Sequence, residues 1–256
     1  MGNVPLLSVE NVGVRFGGVV ALDDLSFTID PGQICALIGP NGAGKTTLFN
    51  VISRLYQPDH GQVVFDGRDL LGVPAHRIVR LGVARTFQNV ALSPALSVLD
   101  NVVTGGHARG RVGFGRAVVG WGTFGGEARL RREACDLLER LSLAHLAHRP
   151  AAGLPFGTLK RVELARALAA HPKLLMLDEP ANGLTHSEVD ELAATLRQIR
   201  DQFGLTILLV EHHMAMVMSI SEHIVVLDFG RKIADGTADE VRNDPKVIEA
   251  YLGAPA

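Results

Sequence analysis

One eight-residue segment constrains this chain more than any other feature. Residues 39–46 are Gly-Pro-Asn-Gly-Ala-Gly-Lys-Thr and match the pattern G-x-x-x-x-G-K-[ST]. The apolar run Ile34–Ile38 before it is typical of a strand buried on both faces, and a helical pattern over 45–55 follows. In that context we put the odds of a chance match at about one in a thousand. The segment therefore predicts a phosphate-binding loop.

Each residue type in this loop has a physical reason. Glycines let the backbone curl until consecutive N–H groups point inward as an anion nest, and the following helix aims its positive end at the same place. Lys45 adds a point charge for the outer phosphates, and the Thr46 hydroxyl can bind Mg²⁺. The predicted phosphate-binding residues are Gly39, Pro40, Asn41, Gly42, Ala43, Gly44, Lys45, Thr46 and Thr47.

A second motif is an apolar strand over 174–177 that ends in the two carboxylates Asp178 and Glu179. In open α/β folds, ligands bind at the C-terminal ends of the parallel strands. Asp178 can hold Mg²⁺ there, and Glu179 can polarise a water for attack on a γ-phosphate. Alone this motif is weak, but beside a phosphate loop it predicts a nucleotide hydrolase.

Hydrophobic periodicity predicts the fold class. Strand patterns occur at 7–12, 25–29, 62–65, Thr206–Val210 and 223–227, and helical patterns at 127–143, 158–170 and 187–202. Nine glycines fall within 105–126, which indicates a loop-rich insertion. The helix over 127–143 should bury one face, formed by Leu130, Ala134, Leu137, Leu138 and Leu141. Alternating helices and strands predict an α/β fold with a mainly parallel sheet.

Charge and cysteine usage exclude several classes of protein. The 256 residues carry 25 basic and 27 acidic side chains, a net charge of -2, so no global positive field exists to hold nucleic acid. Two cysteines, Cys35 and Cys135, do not make a disulfide framework. No apolar run approaches the roughly 20 residues of a membrane helix. We therefore expect a cytosolic chain without a transmembrane segment.

Further motifs identify a family. Gln88 lies in Ala-Arg-Thr-Phe-Gln-Asn, His212 follows the strand Thr206–Val210, and Phe16 precedes a Gly-Gly pair. With the segment 154–168, these resemble the Q-loop, switch histidine, adenine-stacking aromatic and signature of ABC transporter nucleotide-binding subunits. The stretches at 14–18, 37–50, 82–89, 178–181 and 250–253 are most similar to the ATPase subunits of branched-chain amino acid importers.

The resemblance implies an architecture and partners. It implies a single P-loop ABC ATPase domain with an antiparallel β region at the N-terminus, a core of 1–88 and 158–256, and an inserted helical subdomain at 89–157. Two ATPase subunits, identical or different, would close head to tail on two ATP molecules. The other expected partners are transmembrane permease subunits and, indirectly, a solute-binding protein, but no nucleic acid. The chain would lie peripherally on the cytoplasmic face of the membrane.

The resemblance also implies roles for single residues. Lys45 would hold phosphates, while Thr46, Gln88 and Asp178 would bind or support Mg²⁺. Gln88 would also couple the site to the permease. Glu179 would act on the attacking water, His212 would contact the γ-phosphate, and Phe16 would lie against adenine. The signature residues that would meet the ATP of the opposite subunit are Leu154, Pro155, Phe156, Gly157 and Thr158.

The signature departs from the usual Leu-Ser-Gly-Gly-Gln. Pro155 removes both a hydroxyl and a backbone N–H that would face the opposite γ-phosphate. Thr158 could supply a hydroxyl and cap the following helix. Two interpretations stay open: a working but altered signature, or a degenerate site in one half of a heterodimer. The family's aspartate after the catalytic glutamate is replaced by Thr185, and the acidic residue after the switch histidine by His213.

Rival functions remain at this point. An ATPase of lipid or lipopolysaccharide export shares much of the pattern. A soluble ABC ATPase acting on ribosomes or DNA usually has two ATPase domains or long coiled coils, which this chain lacks. The interpretation as a nucleotide-binding regulator that hydrolyses ATP poorly depends on Pro155 alone.

Overall fold

The computed structural model describes residues 4–86, 90–107, 109 and 123–252, and the side chains of 123–125 and 252 lie outside the description. Its strands are β1 Leu7–Phe16, β2 Val19–Ile29, β3 Ile34–Ile38, β4 His60–Phe65, β5 Arg68–Asp69, β6 Val83–Arg85, β7 Leu174–Asp178, β8 Thr206–Val210, β9 His223–Asp228 and β10 Arg231–Gly236. Its α-helices are α1 Lys45–Ile52, α2 Ala75–Leu81, α3 Val98–His107, α4 Thr123–Arg140, α5 Phe156–Leu168, α6 His186–Phe203, α7 Met214–Ile220, α8 Ala238–Asn243 and α9 Pro245–Leu252.

The strands form two sheets. An antiparallel sheet has the order β2-β1-β4-β5, and a six-stranded sheet has the order β10-β9-β3-β8-β7-β6. In the second sheet β9, β3, β8, β7 and β6 run parallel, and β10 pairs antiparallel with β9. Strands β3, β7 and β8 are buried along their whole length, as their continuous apolar sequence predicts.

Two large apolar clusters sandwich the six-stranded sheet. One joins the antiparallel sheet and α1 to one face, with Phe49, Phe65 and Leu37 fully buried. The other joins α3, α4, α5 and α6 to the opposite face through residues such as Val102 and Leu196. The sheet is therefore a rigid platform, whose strand ends carry the candidate site.

Most elements agree with the sequence predictions. The strands Ile34–Ile38 and Thr206–Val210 are confirmed with the predicted bounds, and helix α6 extends the predicted 187–202 by one residue at each end. The buried face of α4 is also confirmed, since Ala134, Leu137, Leu138 and Leu141 are buried and Leu130 packs against the same cluster.

The glycine-rich segment differs from its prediction where the structure describes it. Residues 105–107 are the end of α3 and residues 123–126 begin α4, so both are helical and not loop. A Cβ on Gly105 would lie 1.9 Å from the carbonyl oxygen of Arg166 in α5. The glycine thus allows α3 and α5 to approach closely, a use that sequence reasoning cannot distinguish from a turn. The rest of the predicted insertion lies outside the described residues.

Candidate active site

Three neighbouring parallel strands deliver the chemically important loops to one edge of the sheet. β3 lies beside β8, and β8 lies beside β7. Their C-terminal ends lead into the phosphate loop, into His212 and into Asp178 with Glu179. The structure therefore brings the phosphate loop together with two motifs that lie more than a hundred residues further along the chain.

The phosphate loop is closed around Lys45. Its Nζ donates hydrogen bonds to the carbonyl oxygens of Gly39 at 2.6 Å and Pro40 at 2.9 Å. Gly44, with φ of 102°, is the N-cap of α1 and offers no side chain there. The first-turn N–H groups of α1 therefore face the loop as an anion site. Asn41, Gly42 and Thr46 are exposed, Thr47, Pro40 and Gly44 half-buried, and Gly39 and Ala43 buried.

Close packing explains two of the loop glycines. A Cβ at Gly39 would lie 2.1 Å from the carbonyl oxygen of Leu227, and one at Gly44 would lie 2.5 Å from that of Ala21. Both contacts are with backbone, which cannot move aside like a flexible side chain. Any larger residue at either position would displace the loop from the β9–β10 hairpin and from β2.

Lys45 is nearly buried in this loop. Burial lowers the pKa of its ammonium group, and the negative charges of Glu179 and Asp178 oppose that change. The two carboxylates thus stabilise the positive charge from the neighbouring strand end. A cation held this way suits the phosphate contact predicted for it.

Asp178 forms a buried ion pair with Arg85, a residue to which the sequence assigned no role. Arg85 Nη2 lies 2.7 Å from Asp178 Oδ2, and both side chains are 9% exposed. Arg85 Nη1 also donates to Asn50 Oδ1 at 2.8 Å, and the guanidinium lies over the ring of Phe49. The pair fixes the Asp178 carboxylate relative to α1.

Breaking this pair should destabilise the fold. We expect Arg85→Met to lower the free energy of unfolding by about 3 kcal/mol, because it leaves the Asp178 carboxylate buried without its cation. Urea unfolding followed by circular dichroism measures the change. Lys173→Met is the matched control, since its exposed ion pair with Asp66 at 2.6 Å should contribute less than about 1 kcal/mol. Equal losses in the two variants would contradict the assignment.

Glu179 and His212 face each other across the ends of β7 and β8. Glu179 Oε1 lies 2.7 Å from His212 Nε2, and the backbone N–H of Glu179 donates to the carbonyl oxygen of Val210 at 2.9 Å. The φ angle of Glu179 is +47°, a left-handed conformation that is uncommon for a residue with a side chain. The structure thus holds the predicted water-activating carboxylate against the predicted γ-phosphate contact.

The predicted adenine contact has an aromatic partner that sequence reasoning missed. Phe16 and Tyr56 form an edge-to-face pair with ring centroids 5.3 Å apart, and both rings are partly exposed. Phe16 ends β1, whereas Tyr56 follows α1, so no local pattern links them. The contact with Tyr56 orients the Phe16 ring, and the exposed part of that ring is available for stacking of a nucleotide base.

Replacing Phe16 should weaken binding of the nucleotide base. We expect Phe16→Ala to raise the Kd for ATP about 10-fold, because stacking of one base on an aromatic ring contributes about 1–3 kcal/mol. Titration with a fluorescent ATP analogue measures the effect. Inorganic tripolyphosphate, which has no base, should bind the variant and the natural chain equally. A parallel loss of tripolyphosphate affinity would point to damage of the phosphate loop instead.

The signature segment lies at the start of α5. Pro155 is the N-cap, with φ of −54° and ψ of 147°, and its carbonyl oxygen accepts the N–H of Leu159 at 3.0 Å. Leu154 is buried, Gly157 and Thr158 are half-buried, and Phe156 is 45% exposed. The helix begins at Phe156 and not at Thr158, so the prediction that Thr158 caps it is wrong. Pro155 therefore occupies the N-cap, where the hydrogen bonds of the helix do not use the backbone N–H that proline lacks.

The signature segment packs against the loop that follows Glu179. A Cβ at Gly183 would lie 3.0 Å from the Phe156 ring, and one at Gly157 would lie 2.5 Å from the Glu188 carboxylate. In the same loop Thr185 is the N-cap of α6 and forms a capping box with Glu188. Thr185, which stands where the family has an aspartate, therefore stabilises the start of α6.

The structure describes only part of the predicted Mg²⁺ site. Gln88, predicted to bind Mg²⁺ and to couple the site to a permease, lies outside the described residues. Within the part of the chain that the structure describes, no cluster of three or more His, Cys, Asp or Glu is placed to hold a metal ion.

Comparison with known proteins agrees with this geometry. The sequence model of the family described as "ABC transporter" matches residues 22–182, more than half of the chain. The chain belongs to the ABC transporter family. A second model, described as "Branched-chain amino acid ATP-binding cassette transporter", matches residues 231–256 of this cassette. The resemblance predicted from the motifs is therefore confirmed.

Individual relatives cover the cassette almost completely. It is 41% identical to the high-affinity branched-chain amino acid transport ATP-binding proteins BraF of Pseudomonas aeruginosa and LivG of Escherichia coli strain K12. Each match spans 253 residues, 97% of this chain and 98% of the relative.

A solved structure gives the same result for the fold. The ADP conformation of MJ1267, an ATP-binding cassette of an ABC transporter, superposes with a TM-score of 0.86 at 32% identity. The superposition covers 98% of this chain and 100% of the other. The predicted fold class is confirmed, and the cassette is an ABC ATPase that binds nucleotide. Across residues 4–86, 90–107 and 123–252, no helix has the length and apolar character needed to cross a membrane.

Proposed function

We propose that this cassette hydrolyses ATP to power an importer of branched-chain amino acids through separate transmembrane permease subunits. The observation that carries the hydrolytic part is the meeting of Lys45, Asp178, Glu179 and His212 at one sheet edge. The match of residues 231–256 to the branched-chain family, together with the 41% identity to LivG and BraF, supports the substrate class. These relatives favour the importer over the exporter and the soluble ATPase.

The oxygen donors at the site fit a magnesium ion. Thr46 is exposed at the start of α1, and the Asp178 carboxylate, held by Arg85 through Oδ2, ends the strand at the same edge of the sheet. Mg²⁺ binds through few protein oxygens and keeps waters and phosphate oxygens as its other ligands. We assign the ion to Thr46, Asp178 and Gln88. When bound, it neutralises charge that develops on the phosphates.

The residues of the chain would divide the work of hydrolysis. Lys45 and the N–H groups of residues 39–47 hold the phosphates, and Phe16 supports the adenine. Glu179 accepts a proton from the attacking water, which places it in the role of general base. His212 turns from Glu179 to the γ-phosphate and donates a hydrogen bond there. The close pair seen in this structure holds His212 beside Glu179 before the nucleotide binds.

We also propose that the signature segment works in its altered form. The helix does not use an N–H at its N-cap, so it loses no hydrogen bond through Pro155. The N–H groups of its first turn, including that of Gly157, have no partner within the helix and can bind a phosphate of the opposite subunit. The functional unit is then a head-to-tail pair of ATPase subunits, with residues 1–88 and 158–256 as the core and 89–157 as the helical subdomain. Its place is the cytoplasmic face of the membrane, with a solute-binding protein as an indirect partner.

Uptake measurements in cells test the proposed substrate. A strain that lacks this gene should lose accumulation of radiolabelled leucine, isoleucine and valine at low external concentration. The natural sequence should restore uptake, whereas Glu179→Gln should not. Unchanged uptake of all three amino acids together with a defect in surface lipids would replace the importer by the exporter.

A further inference from the structure

Glu211 is a buried acidic residue to which none of the roles above refers. It follows β8, precedes His212 in the chain and is only 1% exposed. Its Oε1 accepts a hydrogen bond from the N–H of Ala181 at 2.6 Å. Its Oε2 accepts bonds from the N–H groups of His212 at 2.8 Å and His213 at 3.2 Å.

These three N–H groups belong to two different loops. Ala181 lies two residues after Glu179 in the loop that follows β7, whereas His212 and His213 lie in the loop that follows β8. One carboxylate therefore joins the loop of the candidate base to the loop of the candidate switch histidine. The strands below are already joined by the register of Asp178 with Val210, so Glu211 adds a second attachment beyond the sheet.

Only a carboxylate fits this arrangement. Ionised Glu is a pure acceptor, and here both of its oxygens face N–H donors. A glutamine of the same shape would turn an NH₂ group toward one of the two loops, and that loop would lose its acceptor. Charge-assisted bonds to backbone N–H groups are also stronger than those of a neutral amide. Glu211 also acts on the nearby Lys160. Burial lowers the pKa of the Lys160 ammonium group, and the negative charges of Glu163 and Glu211 partly oppose that change.

We infer that Glu211 is a positioning residue of the hydrolytic site, which fixes the backbone of the loop after Glu179 relative to the backbone of His212. The inference rests on the proposed roles of those two residues. It predicts that Glu211 affects the rate of hydrolysis more than the affinity for nucleotide, because the three N–H groups that it holds belong to the loops after β7 and β8 and not to the phosphate loop. Small displacements of a reacting group have large effects on rate, up to about 100-fold for 1 Å.

The chain offers a matched control in Glu222. Its Oε2 accepts the N–H of Ile34 at 2.7 Å, and its Oε1 accepts a bond from Arg200 at 2.6 Å. Ile34 begins β3, so Glu222 makes the same kind of carboxylate-to-backbone bond at the opposite edge of the same sheet. Glu222 is more exposed than Glu211 and is also paired with Arg200, so its loss reports the effect of removing such a bond away from the hydrolytic site.

The experiment compares Glu211→Gln with Glu222→Gln in the full chain. For Glu211→Gln we expect kcat of Mg-ATP hydrolysis to fall at least about 10-fold, with the Kd for a fluorescent ADP analogue changed less than about 3-fold. For Glu222→Gln both values should stay within about 2-fold. Melting temperatures of the two variants show whether any loss of kcat follows a loss of stability.

A double variant tests whether Glu211 acts through the pair. Combined with His212→Ala, Glu211→Gln should reduce kcat by much less than the product of the two single effects. An unchanged kcat, a purely multiplicative double variant, or losses equal to those of Glu222→Gln would each overturn the inference. Full activity of Glu179→Gln would instead overturn the proposed role of Glu179, so the two failures are distinguishable.

Discussion

Replacing Lys45 by methionine should raise the Kd for ATP at least about 100-fold, because charge-assisted hydrogen bonds contribute about 1.5–3 kcal/mol each. In the structure Lys45 Nζ is bonded to two loop carbonyl oxygens and lies in the field of Asp178 and Glu179. A nucleotide phosphate would replace neutral acceptors by a charged one. Methionine keeps most of the length of the side chain and removes the charge and the donors. Isothermal titration with ATP measures the change.

Lys173→Met is the control for this experiment. Lys173 also forms an ion pair with a carboxylate, but it is exposed and lies at the opposite end of β7 from the phosphate loop. It should bind ATP as the natural chain does. If Lys45→Met bound ATP within about 3-fold of the natural chain, Lys45 would not be the principal cation of the site.

Changing Glu179 to glutamine should reduce ATP hydrolysis by about 10²–10⁴-fold, the contribution usual for a general base. Glutamine keeps the shape of the side chain and can still contact His212, but it cannot accept a proton. Nucleotide affinity should therefore stay close to that of the natural chain. Phosphate release at saturating Mg-ATP measures the rate, and titration with an ATP analogue measures the affinity.

The same variant shows whether the Pro155 signature can close. With hydrolysis stopped, a working signature should produce an ATP-dependent dimer on size-exclusion chromatography. A monomer that still binds ATP would mean that a different ATPase subunit completes the pair. Glu139→Gln, an exposed change on α4, is the control and should leave hydrolysis intact. Normal ATP hydrolysis by Glu179→Gln would contradict the assignment of Glu179 as general base.

The motifs could be predicted from the sequence because each is local. A phosphate loop needs a strand, a glycine-rich turn and a helix in direct succession, and the strand before Asp178 is a continuous apolar run. The family resemblance then supplied residues such as His212, which no local pattern identifies. The order of β3, β8 and β7, which places the motifs on one edge, was not predicted and comes from the structure.

The remaining features depend on contacts between distant segments. Arg85, Tyr56 and Glu211 act through partners far away in the chain, so no spacing rule points to them. Gly105 was interpreted as loop because the close approach of another helix cannot be read from one segment. The start of α5 was placed two residues late because Thr158 has a capping side chain, whereas the helix begins at Phe156 with Pro155 as its N-cap and no side-chain cap.

The left-handed backbone of Glu179 has a consequence for how this protein can be improved. Glycine would adopt φ of +47° without the strain of about 1–2 kcal/mol, and its own entropy loss of about 0.5–1 kcal/mol offsets only part of that, so a chain selected only for resistance to heat should accept glycine there. That chain would also lose the carboxylate that we propose as the general base. Stability and turnover therefore compete at this single position, and thermostable designs should leave it fixed.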